Sequence, residues 1–224
     1  YQVLSKFSPE KKNLNEIIQE LNPYLYCAPS GILLSTLEQE ISDEIGREQV
    51  LHKVLEREDL PRKFDYIIID CPPNLGILTI NALRASDFLI IPVEMSFFSI
   101  EGLQQLLSIV KLLEERLNHH IKWKILINLF DSRLRHSLRL LEEMRNNYRS
   151  MMFDTIIHVN VKLKEAQGEG KHIFSFDKYC RGARDYFSLA KEILASQEVK
   201  PWTLELKLPG IKELFVVGDF NMWK

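Results

Sequence analysis

The residues best suited to chemistry lie in Phe64–Gly76, FDYIIIDCPPNLG. An apolar run, Tyr66-Ile67-Ile68-Ile69, ends on a carboxylate, Asp70. In open parallel sheets ligands bind beyond the carboxyl ends of strands, so an acid at this place marks where a site should lie. Such a carboxylate suits a Mg²⁺ ion held through its water shell, and the orienting of a phosphate or an attacking water. Pro72 and Pro73 donate no backbone hydrogen bonds and set an extended exit from the strand. Spacing alone also allows a plainer role: Asp70 can cap a helix starting near Asn74, or sit solvated in a loop.

Other reactive side chains carry less. His119 and His120 are adjacent, so they cannot share one helix face as metal ligands, and they read as a loop after a helix. Cys27, Cys71 and Cys180 lie far apart with no C-x-x-C pairing, as expected of reduced thiols in an intracellular protein, two of them in core positions. No Ser/His/Asp or Cys/His arrangement has a supporting context.

The elements that must position Asp70 follow from the pattern around it. Tyr66–Ile69, Phe88–Ile91, Ile125–Ile127 and Phe153–Val159 are apolar, β-branched or aromatic, and do not alternate with polar residues. Such runs fit strands buried on both faces of a parallel sheet. Pro23–Ala28 is a weaker fifth strand. Leu103, Leu106, Leu107, Val110, Leu113 and Leu117 repeat at helical steps, as do Leu134, Leu138, Leu141 and Met144, and then Tyr186, Leu189, Ala190, Ile193 and Leu194. Strand and helix alternate from about 64 to 195, which predicts an α/β, doubly wound, mostly parallel sheet. After Ser196 the pattern changes. Residues 202–208 alternate, Pro209-Gly210 turns, and Leu214–Val217 follows, predicting the opening hairpin of a separate small β module over 197–224.

Composition agrees with a folded chain. The 224 residues are 46% hydrophobic and 27% charged, with 29 basic against 31 acidic side chains and a net charge of −2. That excludes a disordered chain and a disulfide-stapled miniprotein, and it offers no global basic field for nucleic acid. No apolar run reaches the roughly 18 residues of a membrane span, and no signal peptide is recognisable.

Residues 64–103, FDYIIIDCPPNLGILTINALRASDFLIIPVEMSFFSIEGL, resemble the Walker B strand and following region of ParA-type ATPases. These are the deviant-Walker P-loop proteins that also include MinD. The resemblance continues through residues 159–194 and, with Tyr1–Arg47, spans about 1–196, the expected ATPase domain. It implies a P-loop NTPase-like fold, incomplete here, with ATP and Mg²⁺ as cofactors. It implies an ATP-dependent homodimer, nonspecific DNA binding, a ParB-like partner that stimulates hydrolysis, and a cytoplasmic, nucleoid-associated location without membrane attachment.

Position by position, Asp70 matches the acid near Mg²⁺ and the γ-phosphate, the one catalytic and metal-site expectation. Pro72, Pro73 and Gly76 match a mobile switch that responds to nucleotide. Asn128 and Asp131 fall at the end of the strand near the adenine. His158-Val159-Asn160 stands where relatives show Pro-Arg-Asn, also near the base, so His158 and Val159 depart from the pattern and Asn160 keeps it. Asn81 and Glu101-Gly102 match architectural motifs. Lys162, Lys164, Lys178, Arg181 and Arg184 are the candidates for DNA phosphates. Arg133, Arg135, Arg139, Arg145 and Arg149 add a locally basic helix.

The family's phosphate loop, G-x-x-x-x-G-K-[ST], does not occur in these 224 residues, and Gly168-Glu169-Gly170-Lys171 is followed by His172 rather than Ser or Thr. The resemblance places that loop ahead of Tyr1, so no hydrolysis is expected of this stretch alone. Residues 206–224 resemble the start of early-set, glycogen-binding-like modules, which implies a glucan partner through Trp202 and Trp223. Two alternatives therefore stand beside the partitioning ATPase: a positioning or scaffold protein with a polysaccharide-binding tail, and a nucleotide-free remnant.

Overall fold

The computed structural model describes residues 1–196 and the backbone of 213–217. In chain order the elements are α1 (Leu14–Ile17), β1 (Gln19–Asn22), β2 (Leu25–Pro29), α2 (Leu37–Glu40), α3 (Val50–Arg57), α4 (Leu60–Lys63), β3 (Tyr66–Ile69), α5 (Ile77–Arg84) and β4 (Phe88–Glu94). They continue as α6 (Phe97–Leu117), β5 (Lys122–Phe130), α7 (Arg135–Tyr148), β6 (Met152–His158), α8 (Val161–Gly168), α9 (Ile173–Phe176), α10 (Arg181–Ser196) and β7 (Glu213–Val217). The elements group into two compact units, one of Tyr1–Asp87 with β7 and one beginning at Phe88.

The first unit is built on a four-stranded sheet of order β1-β2-β7-β3. β1 and β2 form an antiparallel hairpin around Pro23-Tyr24, where the Asn22 side chain accepts from the Tyr24 amide at 2.9 Å. β7 runs parallel to both β2 and β3. The core gathers Val3, Leu14, Ala28, Val54, Leu55 and Leu60, with Tyr26 and Phe64 meeting edge to face at 5.4 Å. Leu51, Val54 and Leu55 share one face of α3, the helical spacing that lets a short helix bury a stripe. At its far end Glu58 accepts from the Leu14 and Asn15 amides at 2.8 Å each, capping α1 from a distance. Burial pushes the Glu58 carboxyl up, but these bonds and Arg57 outweigh it and hold the pKa below its usual value.

The second unit has a parallel sheet of order β4-β5-β6 with helices on both faces. Ile91, Val93, Ile125, Ile127, Met152 and Ile156 face α6 and α7, where Leu103, Leu140, Leu141 and Met144 close one core. The alternate residues Phe88, Ile90, Leu126, Phe153 and Ile157 face α10 through Leu189 and Ile193. This two-sided burial is why the strands read as continuous apolar runs. It is the expected α/β architecture.

α10 also secures β6, which lies at the edge of its sheet. Glu192 accepts from the Asp154 and Thr155 amides at 2.7 and 2.9 Å, and Asp185 accepts from the His158 amide at 3.0 Å. Seven helical residues rise about 10.5 Å, close to the length of the three or four strand residues they serve. Two carboxylates therefore occupy edge donors that would otherwise invite another strand.

The strand expected at Leu214–Val217 runs over Glu213–Val217 and pairs parallel to both β2 and β3 in the first sheet. Residues 202–208, Trp202, Trp223 and the proposed glucan-binding face lie outside the described residues. Among the described residues no helix is long and apolar enough to cross a membrane.

Candidate functional site

Asp70 stands one residue beyond β3, exposed to solvent at the carboxyl end of a parallel strand. It does not cap the following helix. α5 begins at Ile77 with Gly76 in the N-cap position, six residues downstream. Pro72 is half-buried and Pro73 exposed, so the chain leaves the strand as an open turn before re-entering at Gly76. A small apolar recess of about 80 Å³ beside Asp70 is lined by Leu34, Leu37, Cys71, Pro72 and Leu78. Burial, then the Asp70 charge, pushes the Cys71 thiol up to about 11, which makes it an inert packing group rather than a nucleophile. All three cysteines are free and half-buried.

Asn81 fastens this region. Its amide donates to the Arg47 and Ile77 carbonyls at 2.7 and 2.9 Å and accepts from the Leu51 amide at 3.1 Å, all while buried. The architectural reading of Asn81 follows from these bonds. Among the described residues no three His, Cys, Asp or Glu side chains converge on a metal-sized point. A single accessible carboxylate fits Mg²⁺, which keeps most of its waters and takes further oxygens from phosphates.

In the second unit the strand ends gather the other expected residues. The register places Glu94 beside Asn128 and Phe130 beside His158. Between them Leu129 is left-handed at φ 50°, where the β5–β6 register shifts, an uncommon conformation for a branched residue and a bulge that redirects the strand end. His158 Nδ1 lies 3.0 Å from Asp185 Oδ2, and its ring meets Phe130 edge to face at 5.6 Å. In the neutral tautomer that donates Nδ1–H to the carboxylate, Nε2 is left as an acceptor. Asn160 N-caps α8 by accepting from the Lys162 amide at 2.8 Å.

Asp131 is committed elsewhere. It accepts from Arg133 Nε and Nη2 at 2.9 and 2.7 Å and from the Arg133 amide at 3.0 Å. The Arg133 side-chain bonds, then its amide, hold the Asp131 carboxyl down at about 2. Of the basic candidates, Lys162 bonds Glu165 at 2.8 Å and lies over the Phe176 ring, and Lys178 lies over Tyr179. Lys164, Arg181 and Arg184 form no ion pair with a described carboxylate and remain exposed.

Three features escape the motifs. Asp185 orients His158 from 27 residues away, and no local signal announces the pair. The Asp131–Arg133 fork has a signal, an acid two residues before an arginine in a turn. Phe97 and Phe98 form an edge-to-face pair, 68% and 81% exposed, immediately beyond β4. Two exposed aromatics at a helix start are the visible cue for a contact surface.

Residues 1–123 match a family described as an AAA domain. The sporulation initiation inhibitor protein Soj of Bacillus subtilis is 41% identical over 169 residues, covering 75% of this chain and 66% of its own length. The chromosome-partitioning ATPase Soj of Treponema pallidum is 37% identical over 187 residues, covering 83% of this chain and 73% of its own. Among solved structures, cobyrinic acid a,c-diamide synthase from Mycobacterium smegmatis, with bound ATP analog and magnesium, superposes with a TM-score of 0.69 at 25% identity. That match covers 82% of this chain and 68% of the synthase. The chain thus spans slightly under two thirds of the Bacillus relative.

Proposed function

The chain belongs to the ParA/Soj family of partitioning ATPases, and on that premise we propose that its protein binds ATP with Mg²⁺, dimerises on the nucleotide and holds DNA without sequence preference. The observation that carries the reading is Asp70, an accessible carboxylate at the carboxyl end of a parallel strand, followed by a proline turn. Bound there, Mg²⁺ supplies charge neutralisation at the phosphate oxygens. Asp70 would hold its water shell and orient the attacking water, and Pro72 and Pro73 would carry the nucleotide state into α5. Asn128, His158 and Asn160, at the β5 and β6 strand ends of the second unit, are the residues the resemblance puts near a base. The exposed Phe97-Phe98 pair supports a protein contact, here a second copy of the chain. Lys162, Lys164, Lys178, Arg181 and Arg184 meet DNA phosphates, and a ParB-like partner stimulates hydrolysis and release from the nucleoid.

The test uses the protein translated from its whole reading frame, assayed for Mg-ATP binding and for ATP-dependent retention on DNA. Both activities are expected, with hydrolysis lost in Asp70→Ala. Absence of nucleotide binding together with absence of ATP-dependent retention would overturn the proposal.

A further inference from the structure

Gly76 has no side chain, and the space where one would stand is taken. A Cβ built on Gly76 collides with Glu38 Oε1 and lies 3.0 Å from Glu38 Cδ and 3.3 Å from Oε2. Gly76 has an ordinary extended backbone, φ −79° and ψ −174°, so what a side chain here would meet is the end of the Glu38 carboxylate, which a Cβ would push aside. Glu38 Oε1 is buried and accepts no hydrogen bond, an arrangement that costs free energy unless something else favours it. The carboxylate crowds Gly76, the N-cap of α5, a helix whose first amides have no intrahelical acceptor and carry partial positive charge.

The helix that bears Glu38 is itself firmly seated. Leu37 and Ile41 are 1% and 2% exposed. Glu40, two residues on and so on the opposite side of α2, accepts from Tyr1 Oη and Ser5 Oγ at 2.5 Å each. α2 is thus held by its apolar side chains and by Glu40, while Glu38 bears on the turn.

We propose that Glu38 is a positioning residue: its carboxylate, seated against Gly76, couples α2 to the segment that follows Asp70. The segment between Pro72 and Gly76 then cannot shift without displacing Glu38, and movement of α2 is felt at Asp70. The functional meaning rests on reading that segment as nucleotide-responsive, but the coupling is a property of the first unit without nucleotide.

The experiment is amide hydrogen exchange on the full 224-residue chain, without nucleotide, in Glu38→Ala, Glu38→Gln, Gly76→Ala and the double variant Glu38→Ala/Gly76→Ala. Glu38→Ala is expected to speed exchange across 71–77 by about tenfold. Gly76→Ala, which evicts the carboxylate, is expected to speed exchange across 34–41 as well as locally. The double variant is expected to match Glu38→Ala rather than the sum of the two. Glu38→Gln, which keeps the shape and loses the charge, separates packing from attraction to α5; exchange between that of wild type and Glu38→Ala is expected. Effects confined to each mutated segment, or effects that add, would overturn the proposal. Failure of nucleotide binding in the whole protein would leave this result standing, so the two readings fail separately.

Discussion

At the residue scale the second-unit strand end is governed by pairs that satisfy one another before any ligand arrives. Asp131 and Arg133 form a fork that holds the acid ionised down to about 2, whereas an unfolded aspartate titrates near ~3.9. A depressed folded value favours the folded chain above the unfolded value, and that contribution fades as pH falls from there through about 2. An NMR titration of the Asp131 carboxyl is expected to show its midpoint near 2, and Arg133→Ala should return it towards the ordinary range. Leu129 poses the opposite case. Its left-handed backbone costs about 1 kcal/mol in a residue with a Cβ, so Leu129→Gly should raise stability to urea by about that amount. A loss of stability would show that its half-exposed side chain matters more than the strain.

At the element scale the argument turns on how strands and helices are fastened. Asn81 ties α5 to Arg47 and to the start of α3 through two hydrogen bonds, with a third back to Ile77 within α5, and Asn81→Ala strands the Arg47 carbonyl and Leu51 amide indoors. A cost of about 2–4 kcal/mol is expected in chemical denaturation. Glu192→Ala should release the Asp154 and Thr155 amides, read as faster exchange at the outer edge of β6 with β4 and β5 unchanged. Ile127, fully buried between β5 and the α6–α7 layer, is the deeper test of packing. Ile127→Ala should cost about 2–5 kcal/mol, because the surrounding layers cannot close on the cavity.

At the scale of the whole molecule, each unit has its own sheet and its own core. The first depends on a strand far away in sequence: β7 lies between β2 and β3 and satisfies backbone groups on both. Deleting residues 213–217 is therefore expected to speed amide exchange in β2 and β3 while leaving β4, β5 and β6 at their original rates. Equal exchange in all five strands with and without the deletion would show that β7 contributes nothing to the sheet.

Much of this molecule is legible in its residues. Apolar runs such as Phe88–Ile91 and Ile125–Ile127 can bury both faces only between two helical layers, so the α/β class and the order of its elements follow from local pattern. The place of Asp70 follows too, because a strand that ends on an acid before two prolines puts that acid in solvent beyond the sheet. The family was legible from motifs spread over most of the chain. What the sequence could not decide were contacts between distant positions. Glu38 meets Gly76, Asp185 orients His158, Glu192 satisfies the edge of β6, and β7 enters the first sheet. Hydrophobic period and turn chemistry act over a few residues, and they set what each segment becomes. Which segments then meet is settled by burial and hydrogen-bond satisfaction across the folded chain, and no local spacing encodes that.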